Sequence, residues 1–348
     1  MSKFLKLLTK AAGDDAVIAT EGVPSGDIIG FTDTGSYALN MLISGDMNKG
    51  LPKGKVTALA GEEATGKTFI ALAVVKNFLD SDPDAICFYF EDEGSITQDL
   101  LESRGIATDR LVVVPVTTIQ DFRYRVLNVL NEYEKDKNRP PMLMVLDSLG
   151  NLSTTKEIED MEAGKETRDM TKQQLIRGAF RVITLKLSKL QVPMLVTCHT
   201  YQVVGSMFPT REVGGGGGLK YAATNIILLS KAKDKDGTEV VGNIITCKND
   251  KSRLTKENAK VKIRLTYETG LDPYYGLVDI ALDCGVFTNI SNKIQIVGTE
   301  TSVFEKKIIN NPEKYFTEDV LTAINEKAKS KFLYGAGEVS VEEEGEAE

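Results

Sequence analysis

Residues 61–68 read GEEATGKT and match the spacing GxxxxGK[ST]. Of all the features of this sequence, this motif restricts the possible folds most. In such a loop, backbone N–H groups surround phosphate oxygens, the lysine reaches the β- and γ-phosphates, and the hydroxyl binds Mg²⁺. An apolar, strand-like run precedes it at residues 55–60, and a mostly apolar segment without Gly or Pro follows at residues 69–79. This order of strand, loop and helix predicts a nucleotide site, with the helix dipole facing the anion.

The expected nucleotide-binding residues are those of the loop itself. They are Gly61, Glu62, Glu63, Ala64, Thr65, Gly66, Lys67 and Thr68. Thr68 is also the expected ligand of Mg²⁺.

The composition limits the class of protein. With 348 residues and 42% hydrophobic content, the chain can build one large domain and a smaller one. No apolar run reaches the roughly 18 residues of a membrane span, and no signal-peptide pattern follows Met1. The cysteines stand alone in apolar contexts, so we expect buried free thiols in a reducing compartment, the cytoplasm. They are Cys87, Cys198, Cys247 and Cys284.

The formal net charge of −8 at first disfavours a polyanionic partner. However, residues 334–348 contain six glutamates and no basic residue, and the rest of the chain is therefore near −2. Two interpretations of this acidic tail stay open. It is either a disordered solubility tail or a mobile polyanion that competes with nucleic acid or recruits basic partners.

The N-terminal segment is amphipathic. In residues 2–12, apolar side chains lie between lysines at helical spacing, and residues 13–30 have the composition of a linker. Because so short a helix is marginal alone, we expect it to pack on its own core or, with slight preference, on a neighbouring subunit.

Between residues 55 and 265, strand-like runs alternate with helix-compatible segments, which predicts a parallel sheet with crossover helices. The runs are residues 56–60, 86–90, 111–115, 142–146, 194–197 and 226–229. Residues 240–247 and 259–267 alternate apolar and polar side chains, as in a hairpin at a sheet edge. Helix-like stretches at 276–282, 302–309 and 317–332 predict a small α-rich C-terminal unit.

Carboxylates follow two of these strands. Asp147 ends one run, where a nucleotide-binding sheet needs a carboxylate for Mg²⁺ or its water shell. Glu91, Asp92 and Glu93 end another, at the edge where open α/β sheets bind ligands. We expect one of these three to orient or deprotonate the attacking water, although each alone is more typical of a solvated loop.

The only histidine, His199, follows the strand run at 194–197. A stretch with poor secondary-structure signals follows at residues 201–221 and includes five consecutive glycines, which favours a functional loop. It carries the cations and aromatic groups that single-stranded nucleic acid prefers, and a polar linker is the alternative. Residues 153–172 form a second irregular stretch, and the two together could line a channel.

Taken in order, these motifs resemble the RecA-like strand-exchange recombinases, most closely the UvsX recombinases of T-even-type phages. The resemblance covers nearly the whole chain, and the order and spacing of the motifs are highly specific. The motifs are TGS at 34–36, GLPKG at 50–54, GEEATGKT, the strand end at Glu93, DSLGNL at 147–152, HTY at 199–201, GSMF at 205–208 with the glycine run, and LDPYYGLVD at 271–279.

The resemblance implies an α/β fold: a RecA-like P-loop ATPase core with a mostly parallel central sheet, an N-terminal helical arm and a small α-rich C-terminal domain. Four segments are expected. They are the oligomerisation helix and linker (1–30), the ATPase core with two DNA-binding loops (31–270), the small C-terminal domain (271–333) and the acidic disordered tail (334–348).

The resemblance also implies roles for single residues around the nucleotide. Glu93 matches the catalytic carboxylate, and Asp147 matches the Walker B acid, a metal ligand beside Thr68. His199 matches the polar sensor of the γ-phosphate. With Lys67, these residues would bind and cleave Mg²⁺-ATP.

Further residues would act across a subunit interface or on DNA. Lys251 and Arg253, which composition alone would place in a charged turn, match cations that reach a neighbour's γ-phosphate as an arginine finger does. One apolar side chain of the second DNA loop would wedge between base triplets. The expected DNA-binding residues are Val204, Met207, Phe208, Arg211, Gly215, Gly216 and Lys220.

The chain departs from the family pattern in two places. Leu100 stands where the family commonly has a tyrosine that stacks on adenine, which would loosen base selectivity. The first DNA loop, at residues 153–168, aligns poorly with cellular RecA, and no single contact is assigned there.

The implied function is a DNA-dependent ATPase that forms a filament on single-stranded DNA and catalyses homologous pairing and strand exchange in recombination and repair. Its implied partners are single-stranded DNA, homologous duplex DNA, further copies of itself, a recombination mediator and a single-strand-binding protein. A phage-encoded chain would act in the host bacterial cytoplasm. The alternatives are a hexameric DNA helicase of the RecA fold and a regulatory ATPase that binds protein.

Overall fold

A computed structural model describes residues 3–13, 16–23, 26–165, 169–202, 211–299 and 302–335. The predictions for Val204, Met207 and Phe208, and for most of the acidic tail, lie outside these residues. The helices are α1 (Lys3–Ala12), α2 (Tyr37–Ser44), α3 (Lys67–Ser81), α4 (Gln98–Ser103), α5 (Ile119–Lys135), α6 (Thr155–Glu162), α7 (Lys172–Leu190), α8 (Gly216–Ala222), α9 (Leu277–Asp283), α10 (Glu305–Asn310), α11 (Pro312–Tyr315) and α12 (Glu318–Phe332). The strands are β1 (Phe31–Thr32), β2 (Leu51–Pro52), β3 (Val56–Gly61), β4 (Ile86–Glu91), β5 (Leu111–Pro115), β6 (Met142–Asp147), β7 (Met194–Gln202), β8 (Arg211–Val213), β9 (Asn225–Asp236), β10 (Glu239–Ser252), β11 (Lys260–Thr266), β12 (Gly270–Leu271), β13 (Phe287–Ile290), β14 (Lys293–Ile296) and β15 (Ser302–Val303).

The central sheet has the strand order β12-β11-β10-β9-β3-β7-β6-β4-β5, and β8 pairs with β7. The strands from β9 to β5 run parallel, whereas β10, β11 and β12 are antiparallel. This confirms the predicted parallel sheet and the predicted hairpin at its edge. Every residue of β3 and β6 is buried, because helices cover both faces of these inner strands.

Two hydrophobic clusters lie on opposite faces of the sheet. Leu59 and Ile227 belong to a cluster with α2, α3 and the C-terminal helices. Ala58 and Ile226 belong to the other, with α5 and α7. Neighbouring residues of one strand thus contribute to opposite clusters, because successive side chains of a β-strand point to opposite faces of the sheet.

The C-terminal unit is mainly helical, as predicted, and also contains a three-stranded antiparallel sheet, β13-β14-β15, that the sequence did not indicate. Phe316 stacks on both Tyr274 and Phe287, with ring centroids at 6.0 and 5.6 Å. Asn325 of α12 accepts a hydrogen bond from Met47 N at 2.8 Å. The apolar residues of the C-terminal unit belong to the hydrophobic cluster that also contains α2.

The glycine-rich stretch is more regular than predicted. Instead of a structureless loop over residues 201–221, its described part contains the end of β7, then β8 and α8. Gly218 is buried, and a Cβ there would lie 2.8 Å from Arg177 N of α7. The expectation of poor secondary structure is therefore wrong for these glycines: because they have no side chains, α8 can approach α7 closely.

The stretch at 153–172 is likewise more regular than predicted. It contains α6, which begins with a capping box: Thr154 Oγ1 accepts from Glu157 N, and the Glu157 carboxylate accepts from Thr154 N. Both bonds satisfy N–H groups that a helix start leaves open.

The predicted N-terminal helix is present as α1. Its apolar side chains are exposed: Leu5 to 44%, Leu7 to 64% and Leu8 to 49%. Among the described residues, none of the helices has the length and apolar character that crossing a membrane requires.

Candidate nucleotide site at the carboxyl edge of the sheet

The phosphate loop joins β3 to α3. Gly66 (φ 93°) caps α3, and Ala64 (φ 54°) also lies in the left-handed region. Thr65 Oγ1 donates to Glu62 O at 2.8 Å, and Lys231 Nζ of β9 donates to Ala64 O at 2.6 Å. The loop is thus held by a bond of its own and by one from a neighbouring strand, and the predicted residues surround the start of α3.

Lys67 is buried in the loop, with 7% of its surface exposed. Its Nζ donates to Gly61 O at 3.1 Å and to Glu62 O at 2.8 Å. Burial lowers the pKa of Lys67, and the Asp147 carboxylate opposes that effect. The ammonium group therefore lies over the loop, where phosphate oxygens can replace its carbonyl partners.

Asp147, at the end of β6, is held on both carboxylate oxygens. Tyr89 OH donates to Oδ2 at 2.7 Å, and the Thr197 hydroxyl donates to Oδ1. The peptide bond that follows it, to Ser148, is cis. Thr68 is half-buried in the first turn of α3. A hydroxyl and a carboxylate suit Mg²⁺, which uses few protein ligands and keeps several waters.

Glu93 and His199 come together across the end of the sheet. His199 lies beside Gly61 in register, and its Nε2 is 3.9 Å from Glu93 Oε1. Asn151 Nδ2 donates to the same Glu93 oxygen at 2.7 Å. The Glu93 side chain is 42% exposed, so the predicted base faces the open edge, oriented by an asparagine that sequence reasoning missed.

The other two carboxylates of this strand end are turned inward. Glu91 is buried, and its carboxylate accepts a backbone N–H bond within the turn. Burial raises the pKa of Asp92 to about 6; the nearby Glu93 and Asp147 charges add to the rise, and a Ser148 N–H bond opposes it. Of the three candidates, Glu93 alone presents its carboxylate to the nucleotide edge.

Leu100 lies in α4 and is partly buried against the core. One turn further along, the Arg104 guanidinium lies 4.8 Å from the centre of the Phe69 ring. Phe69 directly follows Thr68, so this cation–aromatic pair lies next to the phosphate loop. No local pattern predicts this pair, because its members are far apart along the chain.

Lys251 and Arg253 do not join this cluster. Lys251 Nζ donates to the carbonyl of Lys220 and, at 2.8 Å, to that of Ala223. Arg253 Nη2 donates to Tyr221 O at 3.3 Å. Burial and the neighbouring Arg253 charge lower the pKa of Lys251. Both side chains therefore hold the C-terminal end of α8.

The described DNA-binding candidates follow His199 closely. Arg211 begins β8, and Gly214 N donates to His199 O at 2.7 Å. Gly215 and Gly216 lead into α8, where a Cβ would meet Leu149 and Gln173 at 2.6 and 2.2 Å. Lys220 Nζ is 4.0 Å from Asp250 Oδ2. The strand β7, which carries His199, thus pairs with β8, and β8 is followed after two residues by α8.

The cysteine prediction is confirmed for three thiols: Cys87, Cys198 and Cys247 are buried and free, and Cys284 is free and half-buried. Burial raises the pKa of Cys198 to about 12. Such thiols are unreactive.

Comparison with known proteins assigns the chain to a family. The model of the RecA N-terminal domain matches residues 1–272. A "Recombination and repair protein" of Enterobacteria phage T4 is 32% identical over 254 residues, which are 73% of this chain and 64% of that protein, slightly less than two thirds of its length. "Protein RecA" of Cutibacterium acnes is 26% identical over 261 residues, 73% of this chain and 70% of the relative. "Protein RecA" of Mycobacterium sp. (strain KMS) is 26% identical over 311 residues, 87% and 84% of the two chains.

These matches agree with the resemblance drawn from the motifs. Because the family model covers well over half of its 348 residues, the chain belongs to the RecA family.

Proposed function

We propose that this chain is a DNA-dependent ATPase that polymerises on single-stranded DNA, binds Mg²⁺-ATP between protomers, and pairs the bound strand with homologous duplex DNA. The observation that carries the proposal is a separation within the protomer. Lys67, Glu93 and His199 meet at one edge of the sheet, whereas Lys251 and Arg253 lie at the other end of its central strands. The names of the relatives, which refer to recombination and to RecA, support the same class.

The hydrogen bonds at the start of β3 locate the two cations. Arg253 N donates to Thr224 O at 3.1 Å, and Thr224 N donates to Val56 O at 2.8 Å. Val56 begins β3 and Gly61 ends it. At roughly 3.3 Å per residue these ends are about 16 Å apart. The cations therefore serve a nucleotide held by the next protomer in a head-to-tail assembly.

Within this composite site each side chain has a role. The loop N–H groups and Lys67 bind the phosphates, and Glu93, oriented by Asn151, accepts the proton of the attacking water. His199 lies beside Glu93 and contacts the γ-phosphate. Bound Mg²⁺, held by Thr68 and Asp147, would neutralise charge on the β- and γ-phosphate oxygens.

The nucleotide would be coupled to DNA through α8. Within the protomer, Lys251 and Arg253 donate hydrogen bonds to carbonyls at the end of α8. A γ-phosphate competes with those carbonyls for both cations, since charge-assisted bonds are stronger than bonds to neutral acceptors. Releasing α8 would move the glycine-rich start of that helix and the DNA-binding residues before it.

The filament contact would be made by α1 on a groove formed by α5 and the first residues of β4 and β6. The groove, with a volume of about 470 Å³, lies between α5 and the sheet. We call it the α5 groove. The apolar side chains that line it include Ile86, Phe88, Val129, Tyr133 and Met142. It would accommodate the leucines of a neighbour's α1, which are exposed in the protomer. Because so short a helix is marginally stable alone, packing in the groove would also stabilise it.

Other parts of the proposal concern the cellular setting. A recombination mediator and a single-strand-binding protein are the expected additional partners, and the cytoplasm is the expected compartment. DNA binding should depend strongly on salt, because phosphate contacts release counterions.

The first test is the ATPase rate with and without single-stranded DNA, for the wild type and for Lys251→Ala. We expect DNA to stimulate the ATPase rate of the wild type strongly. The stimulated rate of the variant should be at least about tenfold lower, which is less than the full contribution of an arginine finger to kcat. Lys327→Ala, which changes an exposed lysine of the C-terminal helix α12, is the control and should behave as wild type. A wild-type rate indifferent to DNA would contradict the proposal.

A second test asks whether the site is shared between protomers. Lys251→Ala and Glu93→Gln are each expected to be nearly inactive alone. Mixed in equal amounts on DNA, they should recover about one quarter of the wild-type rate, because random head-to-tail assembly pairs an intact Glu93 with an intact Lys251 at about one interface in four. If all catalytic groups acted within one protomer, mixing would restore nothing.

A further inference from the structure

Asp92 contacts both polar groups of the peptide unit that joins Asp147 to Ser148. Its backbone N–H donates to Asp147 O at 3.2 Å. Its Oδ1 accepts from Ser148 N at 2.9 Å. Ser148 is only 1% exposed, so no water can replace this acceptor without a rearrangement of the strand end.

The second oxygen of Asp92 is also informative. Oδ2 is buried and has no hydrogen-bond partner among the described residues, and the same holds for the hydroxyl of the adjacent Ser148. Buried polar atoms are normally paired. Two such atoms beside Asp147 indicate a place for a bound water.

The side chain of Asp147 has separate supports. Tyr89 and Thr197 hold its carboxylate through their hydroxyl groups. Asp92 bonds to the main chain of the peptide unit that follows, from the strand end that also carries Glu93. One residue thus links the position of the metal-binding acid to that of the catalytic base.

We propose that Asp92 is a positioning residue for the metal site: Oδ1 anchors the Asp147–Ser148 peptide, and Oδ2 accepts a hydrogen bond from a water bound with Mg²⁺-nucleotide. This inference deepens the proposed function and rests on its nucleotide site. Outer-shell groups of this kind orient metal ligands without touching the metal.

The test uses the full chain without DNA, so that it does not depend on the DNA-stimulated reaction. Mn²⁺ binding in the presence of a non-hydrolysable ATP analogue is measured by electron paramagnetic resonance. Asp92→Ala should weaken Mn²⁺ binding about tenfold or more. Asp92→Asn keeps an acceptor for Ser148 N but puts an N–H donor in place of Oδ2, so it should weaken Mn²⁺ binding by less than the alanine variant does. Binding of the analogue without metal should change little in either variant.

The control is Asp84→Ala, which removes an exposed carboxylate just before the opposite end of the same strand and should leave Mn²⁺ binding unchanged. Should Asp92→Ala fail to fold, Asp92→Ser is used, since its hydroxyl is too short to keep both contacts. Wild-type Mn²⁺ affinity in the Ala or Ser variant would overturn the proposal. So would an Asn variant as weak as these, because the bond from Ser148 N to Oδ1 would then contribute nothing to the metal site.

Discussion

Replacing Glu93 with glutamine should lower kcat of the DNA-stimulated ATPase at least about a hundredfold, the usual contribution of a positioned general base. The amide oxygen can still accept from Asn151, so the side chain should keep its place. It can no longer take a proton from water. ATP binding should stay close to wild type, since the contacts of Lys67 and the loop are unchanged. Single-turnover hydrolysis, together with binding of a fluorescent ATP analogue, measures the two effects separately.

Glu102→Gln is the matched control for this substitution. Glu102 is an exposed glutamate of the neighbouring α4, and it accepts a hydrogen bond from Gln98 on the same helix. The control should hydrolyse ATP at the wild-type rate. A Glu93→Gln rate within about threefold of wild type would show that proton transfer from water does not depend on this carboxylate.

Sequence reasoning located the strands of the core well where their signal was local. The apolar runs at 56–60 and 142–146 became β3 and β6 with one more residue each. The run at 226–229 became β9, which extends to Asp236. Its charged second half has no apolar pattern to mark it, and its pairing with β10 alone makes it a strand.

The helix α8 shows what local signals miss. Glycine is the poorest helix former after proline, so three glycines at the start of a helix argued for a loop. These glycines, with Gly215 before them, allow close approach to α7 and Leu149. Such contacts exist only once the chain has folded. A single sequence carries no sign of such contacts.

The same limit applies to the site. The phosphate-loop motif predicted Lys67 and a strand end predicted Asp147, whereas the family resemblance selected Glu93 and His199. Tyr89, Thr197 and Asn151 orient these groups from other elements. Nothing in their own neighbourhood distinguishes them from ordinary polar residues of a strand end, so only the fold reveals their roles.

Removing the exposed leucines of α1 should abolish filament formation. Leu7→Ser with Leu8→Ser deletes the apolar face that we expect a neighbour's α5 groove to cover, and each buried leucine contributes about 1.5–3 kcal/mol. Assembly on single-stranded DNA, followed by electron microscopy, should fall from continuous filaments to isolated particles. Lys6→Ser, on the polar face of the same helix, should assemble normally.

A change in the groove provides the complementary test. Val129→Asp places a charge in the α5 groove and should also prevent filaments, because a buried carboxylate without a partner is costly.

Each variant still keeps one half of the contact. A head-to-tail interface then predicts that the two variants, when mixed, form dimers in which the intact α1 of the Val129→Asp chain docks on the intact groove of the Leu7→Ser, Leu8→Ser chain. Such pairs cannot extend, since only defective surfaces remain at their ends. Mass photometry that finds dimers in the mixture and monomers in each variant alone would support this contact, and monomers throughout would place the binding partner of α1 elsewhere.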